Sequence, residues 1–370
     1  MTHPSGQPRP PRGRAAGGPH HGPHTGPRGG SHPGPGATQE AAGGGPMGIL
    51  VLDKAAGLPS NRVLGQVKRV LGVTKMGFLG TLDPLASGVL PVFVGRATRL
   101  IPLFEGLEKT YRVTMKLGER TATFDAEGAV TERRPLDGLS PEAVRAAILA
   151  KAGRQRQTAP AYSAVKVGGV PAYKLARQGA AVPERVREVE LWGLEVESVE
   201  LPFATFRVTC TAGTYVRSLV EDLGLALGPG AHVTALRRLA CGSLFTLDDS
   251  VTLEGIGEAW KAGRKEVLRN PAAFLPEHMP LWVTPEMELH LRDGRTILLG
   301  PAPGHNSRAA TGDAPAAGSG QAAEREPEWQ AGQAVKALRT DGSLIAVGIV
   351  TADLPGAPPG RLGFRPVRVL

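Results

Sequence analysis

Residues 77–90 read Gly-Phe-Leu-Gly-Thr-Leu-Asp-Pro-Leu-Ala-Ser-Gly-Val-Leu, a run through which no regular helix can pass. Pro84 drives Asp83 away from the helical region and toward extended backbone. Gly77, Gly80 and Gly88 permit tight turning, or close approach by another stretch of chain. The segment is therefore a loop between two elements. It carries one carboxylate, with no other acid in the twenty residues that follow. On local grounds an Asp-Pro pair of this kind is a turn whose side chain caps its own backbone. A lone acid on such a loop is also free to act on something else.

The flanking sequence supplies the elements. Gly48–Asp53 (GILVLD) and Val89–Val94 are short apolar runs fit for buried strands. Ser60 stands as the N-cap of a helix with Val63, Leu64, Val67, Val70 and Leu71 on one face, and Gly72 ends it. Thr110–Leu117 alternates, so Tyr111, Val113, Met115 and Leu117 share the inward face of a strand. Ser140-Pro141 opens a helix that Gly153 stops, and Val189–Val199 and Phe203–Cys210 are further strands. Strands and helices mix without a Gly-rich nucleotide-binding unit, which makes the class α+β.

Two stretches cannot join any core. Residues 1–46 are half glycine and proline, with five scattered histidines, and residues 301–332 are rich in Ala, Gly, Pro and Gln. Neither buries enough apolar surface to offset chain entropy. Between and after them, Leu289–Leu299, Val335–Val350 with a turn at Asp341-Gly342, and Phe364–Leu370 read as strand-rich. The expected division is a tail (1–46), a large domain (47–280) and a small C-terminal β domain (281–370) interrupted by 301–332. A net charge of +9 leans toward a polyanionic partner. Cys210 and Cys241 lack metal-ligand spacing and suit a reducing compartment. With no apolar run of membrane-spanning length and no signal-peptide core, the expected location is the cytoplasm.

A second residue stands out. Thr214 reads as the cap of a helix with Val216, Leu219, Val220, Leu223 and Leu227 buried, which puts Arg217 in its first turn. A cation there opposes the helix dipole, at a cost of about 0.3–1 kcal/mol. Something must offset it. Glu221, one turn on, is the local candidate, slightly favoured over a buried carboxylate or a phosphate.

At this point the chain resembles the TruB family of tRNA pseudouridine synthases. The resemblance runs through Gly48–Lys54, Gly80-Thr-Leu-Asp-Pro-Leu-Ala-Ser-Gly88, Lys109-Thr-Tyr-Arg-Val113, Tyr162–Lys166, Ala172–Gly179, Gly213-Thr-Tyr-Val-Arg217, Gly230-Ala-His-Val233 and Leu236-Arg-Arg-Leu239, in the family's order. It implies a pseudouridine synthase catalytic domain with a mixed, mainly antiparallel sheet flanked by helices, and a small PUA-like RNA-binding domain at the C-terminus. It implies conversion of uridine 55 in the tRNA T loop to pseudouridine, with no metal or cofactor. In that scheme Asp83 is the essential catalytic group, Tyr111 packs on the target base, and Arg217 pairs with Asp83. Whether Asp83 attacks the sugar, adds to the ring or opens a glycal route stays open.

Leu236 matches a leucine of the base pocket, and Tyr215, His232 and Lys54 are carried over as substrate-binding positions. One departure is Phe78, which stands where most relatives have a histidine that contacts the flipped part of the T loop. The physics suits these roles: a flipped base costs a few kcal/mol, and stacking on an aromatic ring recovers about 1–3 kcal/mol. The implied partner is the T-arm of tRNA, handled by a monomer with no obligatory protein partner and no membrane. Two other readings are a tRNA-binding or tRNA-folding module using the same surface, and a guide-RNA-dependent relative. The joint presence of Asp83, Tyr111 and Arg217 favours the enzyme over a pure binder.

Overall fold

The computed structural model describes residues 45–160, 162, 166–167, 169–171, 175, 178, 183, 185–300, 329–355 and 360–370. The expected tail 1–46 except its last two residues, the insertion 301–332 except its last four, and most of 161–184 lie outside the described residues.

The strands are, in order, β1 (Gly48–Lys54), β2 (Met76–Phe78), β3 (Ser87–Val94), β4 (Lys109–Leu117), β5 (Glu119–Thr121), β6 (Val130–Arg133) and β7 (Gly153–Thr158). They continue with β8 (Lys166–Val167), β9 (Val170–Pro171), β10 (Val186–Glu200), β11 (Phe203–Cys210), β12 (Ala231–Cys241), β13 (Phe245–Thr246) and β14 (Val251–Thr252). The last five are β15 (Met279–Trp282), β16 (Ile297–Leu298), β17 (Ala334–Leu338), β18 (Leu344–Thr351) and β19 (Gly363–Val369). The helices used below are α1 (Ser60–Leu71), α2 (Ile101–Phe104), α3 (Pro141–Leu149), α4 (Val216–Leu227), α5 (Leu253–Lys261) and α6 (Pro285–Arg292).

Ten strands make one mixed, mainly antiparallel sheet in the order β14-β1-β3-β12-β4-β11-β10-β7, with β2 on β3 and β13 on β12. Only β1 with β14 and β3 with β12 pair in parallel. The unbroken apolar run of β1 follows from burial on both faces. Leu50 and Leu52 enter a core under the helices, with Val63 and Val67 of α1, Val144 of α3, Leu219 of α4 and Ile256 of α5. Ile49 and Val51 enter a second core behind the sheet, with Phe93, Phe104, Phe245 and Phe274.

That second core also takes Leu338, Leu344, Val347 and Leu370 from a five-stranded sheet, β15-β17-β18-β19-β16. The C-terminal sheet has its own interior as well, including Val335, Ile345, Ala346 and Phe364. The small β-rich C-terminal domain is thus packed on the back of the large sheet. Helices α1, α3, α4 and α5 lie on the front, with Tyr111 and Leu236 of the cleft described below.

Three local expectations are corrected. Ser60 is not the cap of α1: Pro59 holds that position without a side-chain bond, and the Ser60 hydroxyl is used elsewhere. Gly153 does not stop the helix it follows, which ends at Leu149; Gly153, with φ +104°, starts β7 instead. The stretch 289–299 is not all strand. Thr284 accepts a bond from Met287 N and caps α6, so only Ile297–Leu298 is left extended. Ser140 does cap α3, accepting from Ala143 N at 3.2 Å, and Gly72 does end α1 at φ +66°.

Candidate active site

Asp83 sits between β2 and β3 on a loop fastened from three sides. The Ser60 hydroxyl, buried at the start of α1, donates to Leu82 O at 2.9 Å and accepts from Leu82 N at 3.0 Å. Lys54, fully buried at the end of β1, donates to Ala55 O, Leu58 O and Pro84 O, the last at 3.3 Å. Arg238 of β12, 1 % exposed, donates to Val89 O at 2.7 Å, Gly80 O at 2.9 Å and Leu79 O at 3.4 Å. Glycine is required where Arg238 passes. Gly80 (φ +65°) lies where a Cβ would stand 3.1 Å from Arg238 Nη1, and at Gly88 (φ +100°) a Cβ would overlap the Arg238 carbonyl.

Arg217 comes from the first turn of α4. That turn is capped by Tyr215 backbone rather than by Thr214, whose hydroxyl donates to Thr211 O. Gln157 of β7 fixes the turn: its side chain accepts from Tyr215 N at 2.7 Å and donates to Tyr215 O at 2.9 Å. The Arg217 guanidinium, 6 % exposed, meets Asp83 twice, Nε to Oδ2 at 2.8 Å and Nη2 to Oδ1 at 3.2 Å. It also donates to Thr123 O and Tyr162 O, each at 2.9 Å, and lies 3.3 Å from Asp125 Oδ2. Two carboxylates, not Glu221, offset its position at the helix N-terminus. Glu221 is bound instead by Arg120 of β5, through Nε at 2.8 Å and Nη2. Asp125 is delivered by the turn between β5 and β6, where Phe124 adopts φ +63° and Val233 of β12 bonds both Phe124 O and Ala126 N. For a residue with a bulky side chain this is a strained conformation, of the kind found where a site fixes its geometry.

Asp83 and Arg217 open on a cleft of about 450 Å³, within the size range of small-molecule and base pockets. Tyr111, Leu236, Tyr215 and Arg238 line it together with Leu79–Leu82, Lys109 and Cys210. Desolvation by the walls raises the Asp83 pKa above the usual aspartate range. Arg217 opposes the rise and Asp125 adds to it. The Asp83 side chain keeps 36 % of its surface accessible, as expected for a carboxylate on a cleft floor that loses much of its water yet can be reached. Burial pushes the Tyr111 hydroxyl up to about 12, against the pull of nearby Arg238. Burial also brings the Lys54 ammonium down to about 8, opposed by Glu127 and Asp83.

The cleft therefore gathers Asp83, Tyr111, Arg217, Leu236 and Tyr215 from the residues marked in the sequence. The other three stand outside its lining. Lys54 is a buried strut of the loop. Phe78, half-buried at the end of β2, packs against the core under the helices. His232, 4 % exposed on β12, has its Nδ1 3.1 Å from Glu119 O.

Residues 68–216 match the model of the TruB family pseudouridylate synthase N-terminal domain, and residues 217–273 match that of the tRNA pseudouridylate synthase B C-terminal domain. The chain belongs to the TruB family. Among curated TruB relatives, tRNA pseudouridine synthase B of Burkholderia lata is 47 % identical over 228 residues, covering 62 % of this chain and 70 % of that protein. The Xanthomonas campestris pv. campestris protein of the same name is 38 % identical over 308 residues, 83 % of this chain and 91 % of its own length. The fold is shared with solved structures of a Cbf5-Nop10-Gar1 complex (TM-score 0.58, 23 % identity, 87 % of this chain and 84 % of that one) and of an H/ACA RNP bound to a substrate RNA containing 2'-deoxyuridine (TM-score 0.57, 22 % identity, the same coverages).

Two groups of this TruB site were not marked in the sequence. Asp125 is followed by Ala126-Glu127-Gly128 and looks like an ordinary turn acid; only its 3 % exposure and its contact with Arg217 single it out. Arg238 lies in the Leu236-Arg-Arg-Leu239 run without a hint that it is the one turned inward. The strand register supplies that hint, since Arg238 is opposite Tyr111 on β4.

Proposed function

We propose that this chain isomerises uridine 55 in the T loop of tRNA to pseudouridine, with Asp83 as the essential carboxylate. The curated relatives are named for tRNA pseudouridine synthesis, and the family match extends over both halves of the catalytic sheet. The observation that carries the site assignment is the two-point Arg217–Asp83 pair at the floor of a cleft whose walls include Tyr111 and Leu236.

The reaction breaks the N1–C1′ bond and forms a C5–C1′ bond. The C5 proton is lost and N1 gains one, so atoms and electrons balance within the base and the solvent. The flipped uracil stacks on the Tyr111 ring and packs against Leu236, recovering part of the cost of leaving the stack. Arg217 fixes the direction of both Asp83 oxygens and holds the group ionised against desolvation. The Tyr111 hydroxyl, its pKa raised to about 12 by burial, is protonated at neutral pH. Attack on the sugar, addition to the ring and the glycal route all start from an ionised, oriented Asp83.

The β-rich segment 281–370 is proposed to hold a second part of the tRNA, and the enzyme is taken to act as a monomer without a protein partner. Among the described residues no helix is long and apolar enough to cross a membrane. The buried free thiols Cys210 and Cys241 suit the cytoplasm. The test is Asp83→Asn, assayed by tritium release from C5-labelled uridine in a tRNA transcript. Release should fall to background; release near the wild-type rate would overturn the proposal.

A further inference from the structure

Arg187 lies on β10 opposite Gln157 of β7, and the side chains of both reach residues that line the cleft, Gly213 and Tyr215. Its neighbours across the strand differ from it. Arg154 lies opposite Glu190 and its Nε is 3.4 Å from that carboxylate, on the other face. Among the described residues no carboxylate lies within ion-pair distance of Arg187. Its only side-chain hydrogen bond among them runs from Nη1 to Gly213 O, at 3.2 Å. The guanidinium carbon lies 5.5 Å from the centre of the Tyr215 ring. Both Gly213 and Tyr215 line the cleft.

The seat is built for this side chain. Gly213 has φ +86°, and a Cβ there would stand 2.6 Å from Arg187 Nη1. A side chain at 213 would shift the guanidinium from this position, besides straining the backbone at φ +86°. A guanidinium presents five N–H donors in a planar fork, and here one is engaged. A half-buried cation stacked on a ring, with its remaining donors unclaimed by acids among the described residues, matches the recognition of a planar or tetrahedral oxyanion.

We infer that Arg187 receives a backbone phosphate of the RNA strand next to the flipped uridine. The inference rests on the RNA-modifying reading above and adds the chemistry of the rim to it. A nucleotide turned into the cleft leaves its flanking phosphates at the mouth, where Gly213 and Tyr215 lie. Stacking against Tyr215 fixes the plane of the fork, and the Gly213 carbonyl fixes its rotation. Arg187 is thus a binding residue, separate from the Asp83–Arg217 pair that meets the base.

The experiment measures the affinity of a labelled T-arm stem-loop against salt, and turnover on full-length tRNA, for wild type, Arg187→Met, Arg187→Lys and the outer-face control Arg154→Met. For Arg187→Met, Kd should rise about tenfold, and the slope of log K against log salt should shrink by about 0.7–0.9, one phosphate contact. Turnover at saturating tRNA should change less than twofold. Arg187→Lys should keep the salt slope while losing part of the affinity, and Arg154→Met should match wild type. An unchanged slope with equal melting temperature overturns the inference. So does a fall in saturating turnover at unchanged Kd, which would make Arg187 a brace for the Arg217 helix. A wild-type enzyme that releases no tritium from tRNA would instead sink the function proposed above.

Discussion

Arg217 holds Asp83 with two different nitrogens, Nε at 2.8 Å from Oδ2 and Nη2 at 3.2 Å from Oδ1, so the carboxylate is fixed in plane as well as in place. A lysine could supply the charge but not the plane. Replacing Arg217 with Met removes both, and leaves Asp83 and Asp125 without the guanidinium that contacts them both. Turnover should fall by about 10²–10³-fold, the scale for loss of one preorganised electrostatic group. tRNA affinity should change little, because the pair lines the cleft that receives the base in the proposed reaction and does not face a backbone phosphate there. Pre-steady-state tritium release together with filter binding separates the two; weaker binding with normal turnover would make Arg217 a phosphate contact.

The pH dependence of turnover follows from the same pair. In the proposed reaction Asp83 acts ionised, and desolvation raises its pKa from the ordinary aspartate value, with Asp125 adding to the rise. The acid limb of the rate profile should therefore sit at higher pH than an ordinary aspartate gives. Asp125→Asn removes a like charge, so the limb should move toward lower pH even if the plateau drops. Single-turnover rates across the acid range are the measurement, and a limb that moves upward would contradict the assignment.

The stability linkage has the opposite sign to that of a typical salt-bridged acid. A raised folded-state pKa means that the folded protein binds the Asp83 proton more tightly than the unfolded chain. The contribution of this group is present in full below the unfolded pKa. It is lost as pH rises through the folded one. At neutral pH the ionised Asp83 is thus a cost carried for function. Asp83→Asn, with Asp125 still balancing Arg217, should melt at a temperature equal to or above wild type while losing activity. A clear drop in Tm at pH 7 would show that the ion pair is net stabilising.

Gly88 and Gly57 allow a direct measure of how tightly the catalytic loop is packed. Both have positive φ, +100° and +94°, but a Cβ at Gly57 meets nothing within 4 Å, whereas one at Gly88 overlaps the Arg238 backbone. Gly57→Ala should cost only the backbone strain, about 1–3 kcal/mol. Gly88→Ala adds the displacement of β12 from β3, for a total on the order of 4 kcal/mol or more. Urea unfolding of the two variants gives the difference, and equal costs would mean that the strand contact at Arg238 yields easily.

Most of the sheet could be read from the letters, because β1, β3 and β4 carry their burial in their own sequence. The period-2 pattern of Tyr111, Val113 and Met115 needs no tertiary partner to be seen. Each of Asp83, Tyr111 and Arg217 stands out on its own motif, and the fold brings the three to one cleft. What failed was partner choice across long separations. A local i,i+4 rule gives Glu221 to Arg217, but Arg120, 101 residues from Glu221, takes it. Asp125 and Arg238 become visible only once β12 is laid beside β4. The apolar letters of 289–299 suggested strand, and the Thr284-Pro285 cap, which stands before them, decided for helix.

Ser60 gives the sharpest contrast between local and tertiary use of one residue type. Ser140 caps its helix through Ala143 N and nothing more. Ser60 stands at a helix start too, yet its hydroxyl spans 22 residues to satisfy both the N–H and the carbonyl of Leu82, next to Asp83. Ser140→Ala should cost about 0.5–2 kcal/mol and leave turnover unchanged. Ser60→Ala leaves two backbone groups buried without partners, for about 1–3 kcal/mol. It should also lower turnover several-fold, because the residue before Asp83 loses its anchor while Arg217 keeps its own. Denaturant unfolding and tritium release on the two variants check this. Equal turnover in both would mean that Lys54 and Arg238 alone hold the loop.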